Sequence, residues 1–61
     1  MTDFIITIEA IPGQEELSDL FSADSVHDAV DMALQYYSLN LNVPEEKIKI
    51  TSIQTISRYG L

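Results

Sequence analysis

The first segment of the chain, FIITIEAI over residues 4–11, alternates its side chains between two faces. Its β-branched residues favour an extended backbone, and a period of two is typical of a strand. One face carries Phe4, Ile6, Ile8 and Ala10, and the other carries Ile5, Thr7, Glu9 and Ile11. Because apolar residues occur on both faces, we predict a strand in a central or partly covered position of a sheet.

A turn and a second, weaker strand follow. Pro12-Gly13 has the order of a type II turn, in which proline sets φ at the second position and glycine takes the positive φ of the third. We predict that the chain reverses there and returns as a strand with the sequence LSDLFS over residues 17–22. One side of that strand carries Leu17, Asp19 and Phe21.

An amphipathic helix is the clearest element of the pattern. Its apolar residues recur at i, i+3, i+4, i+7, i+8 and i+11 and form one stripe of Val26, Ala29, Val30, Ala33, Leu34 and Tyr37. Ser25 and Asp28 form a start of the capping-box type, in which the hydroxyl accepts a hydrogen bond from a backbone N–H of the first turn. We expect the helix to end near residues 38–40, since Pro44 closes the segment.

The last pattern, KIKITSIQTIS over residues 47–57, predicts a third strand. Its apolar face changes between Ile50 and Ile53, and a β-bulge near Thr51 and Ser52 explains the change. Just before this strand, residues 45–46 are expected to make a single helical turn.

This order of elements predicts an α+β fold with ββαβ connectivity, in a single small domain of residues 1–61 with a frayed tail at residues 58–61. We expect a three-stranded antiparallel sheet in the order 2-1-3 with one amphipathic helix on one face. The other face is left partly open, and we expect a homodimer, either through the apolar residues of that face or through the edge of the third strand. The dimer candidates are Ile5, Ile11 and Ile53.

Charge is distributed unevenly along the 61 residues, whose formal net charge is −7. All ten acidic residues lie between Asp3 and Glu46, and the three basic ones, Lys47, Lys49 and Arg58, follow them. This acidity disfavours direct binding to nucleic acid or to an anionic membrane and favours a basic protein partner. A second interpretation stays open, in which the acidity serves solubility alone.

Composition also indicates a compartment. The chain has no cysteine, so neither a disulfide nor a thiolate metal site is expected, and a reducing compartment fits best. No apolar run approaches the roughly 20 residues of a membrane helix, and Met1-Thr2-Asp3 lacks the positive charge of a signal peptide. We therefore expect a cytoplasmic protein.

Candidate chemistry is limited to one cluster on the helix, where Asp24, His27, Asp28 and Asp31 share a surface and in principle suit a divalent metal. We prefer a solvated helix start, because acidic groups there stabilise the positive end of the helix dipole. His27 is the only histidine available as a base for a serine nucleophile, and the chain has no glycine-rich phosphate loop. No catalytic, metal-binding or cofactor-binding residue is predicted, and we expect neither a cofactor nor enzymatic activity.

Met32 and Tyr36 lie four residues apart beside the apolar stripe. This spacing is typical of a core margin, yet methionine and aromatic residues are also favoured as interface anchors. We keep them as contact candidates together with the acidic residues. The partner-binding candidates are Glu15, Glu16, Asp19, Asp24, Asp28, Asp31, Met32 and Tyr36.

The layout of this chain resembles that of small acidic phage-encoded inhibitors of host machinery. The shared features are a strand pair, the sequence FSADSVHDAVDMA at the helix start and a third strand after the helix. The phage inhibitor of bacterial RNA polymerase and several anti-CRISPR proteins are similar in size, acidity and order of elements. The resemblance covers residues 4–57 and rests on Ala23-x-Ser25-x-x-Asp28-Ala29 followed by Ala33. It implies a basic strand and an acidic strip, supplied here by Lys47, Lys49 and Arg58 and by Glu15, Glu16 and Asp19.

We therefore expect a non-enzymatic, acidic protein-binding module, an inhibitor of the phage type that occupies the cationic surface of a nucleic-acid-handling host protein. Electrostatically steered binding of this kind weakens as salt rises. The alternative expectation is a small structural module that forms a homo-oligomer and whose acidity serves solubility only.

Overall fold

Three strands and one long helix make up the part of the chain that the computed structural model describes, residues 2–10 and 15–56. The elements are strand β1 (Thr2–Glu9), strand β2 (Leu17–Ala23), helix α1 (Val26–Leu41), a 3₁₀ turn (Glu45–Lys47) and strand β3 (Lys49–Ile56). The sheet is antiparallel in the order β2-β1-β3, so the predicted α+β fold with ββαβ connectivity is confirmed. The predicted turn at Pro12-Gly13, the dimer candidate Ile11 and the tail from Arg58 lie outside the described residues.

The predicted bulge is present in β3. Thr7 of β1 pairs with Ser52, but the next residue, Ile8, pairs with Ile50, which leaves Thr51 as the extra residue. The Thr51 hydroxyl donates a hydrogen bond of 3.2 Å to the carbonyl oxygen of Thr7. This bond holds the bulged residue against the central strand, and the register on either side of the bulge is thereby defined.

The bulge decides which face Ile53 occupies. Ile53 pairs with Ile6, and directly opposed residues of an antiparallel pair share a face. Ile6 is fully buried on the helix side of the sheet, so Ile53 also points to that side. The sequence-based placement of Ile53 beside Ile5 on the open face is therefore wrong, because the extra residue at Thr51 reverses the alternation.

The core lies between α1 and the helix side of the sheet. Two small residues of the predicted stripe, Ala29 and Ala33, are fully buried, which allows the helix backbone to approach the sheet closely. Val26, at the start of the stripe, is 47% exposed, so the buried stripe begins one turn later than the pattern predicted. The core residues are Phe4, Ile6, Ile8, Phe21, Ala23, Ala29, Ala33, Tyr37 and Ile48.

The helix is capped at both ends, and the N-cap is the predicted one. Ser25 is the N-cap, and its hydroxyl accepts a 3.2 Å hydrogen bond from the backbone N–H of Asp28. Asn42 is the C-cap in the left-handed conformation, with φ of 56°. The Ser38 hydroxyl then donates a 2.6 Å hydrogen bond to the carbonyl oxygen of Val43, which fixes how the chain leaves the helix. The helix ends at Leu41, slightly beyond the predicted residues 38–40.

The helix covers the sheet unevenly. It packs against β2 and β1, and β2 receives more of the contact. No residue of β3 is buried, although the preceding Ile48 belongs to the core. The helix is therefore displaced toward the β2 edge, and this offset creates the surface described next.

Candidate functional site

An open apolar groove of about 480 Å³ lies where the outer flank of α1 meets the edge strand β2. Three apolar side chains of the helix face solvent there: Leu39 is 82% exposed, Tyr36 46% and Met32 43%. Leu20 of β2, at 53% exposure, pairs with Ile5, so its side chain points to the open face and only its part of the strand borders the groove. Exposed apolar side chains that are contiguous, unlike scattered ones, mark an interaction surface. The groove is lined by Leu20, Phe21, Met32, Gln35, Tyr36 and Leu39.

Three aromatic rings hold the groove in shape. Phe21 contacts Tyr36 edge-to-face at a centroid distance of 5.8 Å, and Tyr36 contacts Tyr37 in the same manner at 5.2 Å. Phe21 and Tyr37 complete the set at 6.2 Å. Such contacts restrict the ring of Tyr36 before any partner arrives, and a pre-ordered aromatic side chain loses less entropy on binding.

Tyr37 also joins the helix to the edge strand through its hydroxyl, which donates a 2.8 Å hydrogen bond to Oδ2 of Asp19. Burial of the side chain and the neighbouring Asp19 carboxylate raise the pKa of Tyr37 well above its ordinary value of about 10, because both disfavour the phenolate. Asp19, one of the predicted partner-binding residues, thus contributes to the packing of the helix on β2. A role for it in partner binding stays a prediction.

Acidic side chains flank the groove at the start of the helix. Asp28 lies four residues before Met32, and Asp31 lies four residues before Gln35, so each carboxylate is one helical turn from a groove residue. Both are exposed. The other predicted acidic contacts, Asp24, Glu15 and Glu16, are also exposed; Asp24 follows β2, and the two glutamates precede it.

The cluster that sequence analysis weighed as a metal site has the geometry of a helix start. The backbone N–H of Asp28 binds the capping hydroxyl of Ser25, and Nε2 of His27 lies 3.8 Å from Oδ2 of Asp31 on an exposed helix surface. In residues 2–10 and 15–56, the structure contains no group of three or more His, Asp or Glu side chains suited to hold a metal ion.

The described basic residues lie away from the groove. Lys47 belongs to the 3₁₀ turn and Lys49 to β3, the edge strand opposite β2. Lys49 is paired across the strands with Glu9. The third basic residue, Arg58, lies outside the described residues. The charged side chains that border the groove within the described part are therefore acidic.

Of the residues that line the groove, Met32 and Tyr36 were predicted as contacts from the sequence, whereas Leu20, Gln35 and Leu39 were not. A signal for Leu39 was present, because Met32, Tyr36 and Leu39 recur at i, i+4 and i+7 and form a second apolar stripe beside the first. Leu20 had no such signal. It borders the groove as part of the edge strand beside Phe21, while its pairing with Ile5 puts its side chain on the open face.

Comparisons with protein-family models, with curated proteins and with solved structures found no match to this chain. In the part of the chain that the structure describes, no helix has both the length and the apolar character needed to cross a membrane.

Proposed function

We propose that this chain is a non-enzymatic protein-binding module that uses the groove between α1 and β2 to hold a basic partner. The observation that carries the proposal is that Met32 and Tyr36 are both nearly half exposed in one groove, with Asp28 one turn before Met32 and Asp31 one turn before Gln35 of the same groove. An apolar centre with a charged rim is the usual anatomy of a protein interface.

The net charge of −7 supports a cationic partner. An acidic surface of this kind raises the rate at which a basic protein arrives and excludes acidic competitors. Proteins that handle nucleic acid carry cationic surfaces for phosphate, so a host protein of that class fits the groove and its rim. We propose, on this basis and on the resemblance to phage-encoded inhibitors, that the chain inhibits such a protein by occupying its cationic surface.

An affinity capture with matched variants tests the proposal. The full chain and its Tyr36→Glu and Leu41→Glu variants are immobilised and exposed to nuclease-treated bacterial lysate at low and at physiological salt. Leu41 is the control, since it is similarly exposed on the same helix, at 38% against 46% for Tyr36, but does not line the groove. We expect a basic nucleic-acid-binding protein on the wild type and on Leu41→Glu, weaker at higher salt, and its loss on Tyr36→Glu. Equal capture by all three baits, or no capture by any, overturns the proposal.

Self-association is a second candidate, favoured by one observation. Ile53 is 41% exposed, although its partner in β1, Ile6, is fully buried on the same face. The open face suits association less, because Thr7 and Ser18 hydrogen-bond there at 2.7 Å and Ser22 donates to Asp3 at 2.5 Å. We therefore propose that any homodimer forms through β3, a strand that carries Lys49 and no acidic residue.

A further inference from the structure

The edge of β2 is an uncovered side of the sheet within the described residues. In the order β2-β1-β3, β2 pairs with β1 alone, and its opposite edge receives no strand from residues 2–10 or 15–56. Edge strands that are not meant to pair usually carry a proline, a bulge or a charged side chain, most often lysine. The seven residues of β2, LSDLFSA, contain neither proline nor lysine, and their pairing with β1 is regular throughout. Their one charged residue, Asp19, is hydrogen-bonded to the Tyr37 hydroxyl of the helix.

The groove continues directly from this edge. Leu20 and Phe21 belong to β2, whereas Met32, Tyr36 and Leu39 belong to the helix flank. A strand added beside β2 would extend the sheet under that flank. Its alternate side chains would then point to the helix side, where Met32, Tyr36 and Leu39 offer apolar contact. Main-chain hydrogen bonds and side-chain packing are thus available to the same segment.

We infer that the partner of the proposed binding module docks as an extended segment, which pairs with β2 and inserts alternate apolar side chains into the groove. This inference rests on the proposed function and names its binding mode. Strand addition to an exposed edge takes affinity from main-chain hydrogen bonds and specificity from pockets for alternate side chains.

Acidic residues near both ends of β2 indicate which charge the ends of the incoming segment carry. Glu15 and Glu16 precede β2, and Asp24 follows it by one residue, so both ends of the edge present carboxylates. Lysine or arginine at the ends of the incoming strand meets them favourably, while apolar residues alternate between. A second copy of this chain is disfavoured at this edge, because an antiparallel β2–β2 contact brings Glu15 and Glu16 of one copy toward Asp24 of the other.

A peptide probe tests the pairing. We would titrate the full chain, labelled with ¹⁵N, with the peptide Lys-Leu-Thr-Ile-Ser-Leu-Lys, which has about the length of β2. Two further peptides carry methyl groups on backbone nitrogens, which removes those N–H donors. One peptide is methylated at the Leu and Ile residues, and the other at the Thr and Ser residues. Successive N–H groups of a strand point to opposite edges, so only one of these two sets faces β2. Fluorescence anisotropy of labelled peptides gives the affinities.

We expect amide shift changes along Leu17–Ala23 and at Met32 and Tyr36, with Lys49–Ile56 unaffected. One N-methylated peptide should bind about tenfold or more weakly than the parent, and the other within about threefold, at roughly 1.4 kcal/mol per tenfold change. If both N-methylated peptides bind equally weakly, or if the amide shifts are confined to the helix, the peptide binds the groove without strand pairing. That result overturns this inference but leaves the proposed function standing. No binding of the parent peptide also overturns it, while the lysate capture decides the proposed function separately.

Discussion

The hydroxyl of Tyr37 donates a 2.8 Å hydrogen bond to Oδ2 of Asp19, and so ties the C-terminal half of the helix to the edge strand β2. The ring of Tyr37 is buried at 3% exposure, while its neighbour Tyr36 faces the groove at 46%. These adjacent residues therefore have different roles. Tyr37 secures the helix over β2, and Tyr36, in edge-to-face contact with it, is left exposed in the groove where we propose that a partner binds.

Removal of the Tyr37 hydroxyl tests the first role. We expect Tyr37→Phe to lower the free energy of unfolding by about 1–2 kcal/mol, because the hydrogen bond to a carboxylate is lost while the ring stays in place. Tyr36→Phe is the matched control. No hydrogen bond of its hydroxyl occurs in the described part of the chain, so we expect a change within about 0.5 kcal/mol. Urea denaturation followed by circular dichroism measures both, and equal effects of the two variants would contradict the assigned role of Tyr37.

The raised pKa of Tyr37 predicts how stability depends on pH. The unfolded chain ionises this tyrosine near pH 10, whereas the folded chain keeps it neutral to a higher pH. The stabilisation is therefore complete below about pH 10 and is lost as the pH rises above it. We expect the unfolding free energy of the wild type to fall more steeply between about pH 9.5 and 11.5 than that of Tyr37→Phe. Parallel curves for the two proteins would show that Tyr37 does not titrate differently on unfolding.

Periodicity predicted the strands, the helix and even the bulge at Thr51, because each depends on neighbours close in sequence. The face of Ile53 was nevertheless assigned wrongly. An extra residue in a strand shifts every later side chain to the opposite face, so the bulge that sequence analysis proposed already implied that Ile53 rejoins Ile50 on the helix side. The error concerned a consequence of the bulge, and the information needed to correct it was local.

The groove could be predicted only in part. Met32 and Tyr36 were recognised from their position beside the apolar stripe, yet strand β2, which forms the other wall of the groove, is distant from them in sequence. What brings β2, and Phe21 in particular, to them is the displacement of the helix toward that strand. That displacement results from packing of the whole core, including the bond between Tyr37 and Asp19, and such tertiary packing leaves no periodic signal in the sequence.

The burial of one helix face predicts that two aspartate substitutions on the helix differ strongly in their effect on stability. Ala33 is fully buried, so Ala33→Asp places a carboxylate in the core with no partner and should unfold the domain. Leu39 lies on the same helix at 82% exposure, and Leu39→Asp should keep a cooperative transition, with a loss of no more than about 1 kcal/mol from its place near the helix C-terminus. Thermal melts measure the stability of both variants. A wild-type midpoint for Ala33→Asp would show that the assigned core face is wrong.

The placement of Ile53 predicts where a homodimer forms. At micromolar concentration and physiological salt we expect sedimentation to give twice the chain mass of 6.8 kDa. Ile53→Thr, which keeps a β-branched residue in β3 but removes exposed apolar surface, should shift the mass to one chain. Ile5→Thr, on the opposite face, should leave the dimer intact. A single-chain mass for the wild type at all concentrations would contradict self-association, and dissociation by Ile5→Thr alone would move the interface to the open face.

Position, rather than total charge, should govern binding at the groove. Two double variants each remove two negative charges. The first combines Asp28→Asn with Asp31→Asn, one turn from the groove, and the second combines Glu45→Gln with Glu46→Gln, in the 3₁₀ turn away from it. Association of the lysine-ended peptide, measured by stopped-flow anisotropy, should slow several-fold more for the aspartate pair, and its salt dependence should flatten. The Ser25 cap remains, because it binds the backbone N–H of Asp28. A thermal melt checks the roughly 0.3–1 kcal/mol that the Asp28 carboxylate contributes in the first turn of the helix. Equal slowing by both pairs would mean that acidity acts through net charge alone, and the carboxylates of Asp28 and Asp31 would then lose their assigned place in partner recognition.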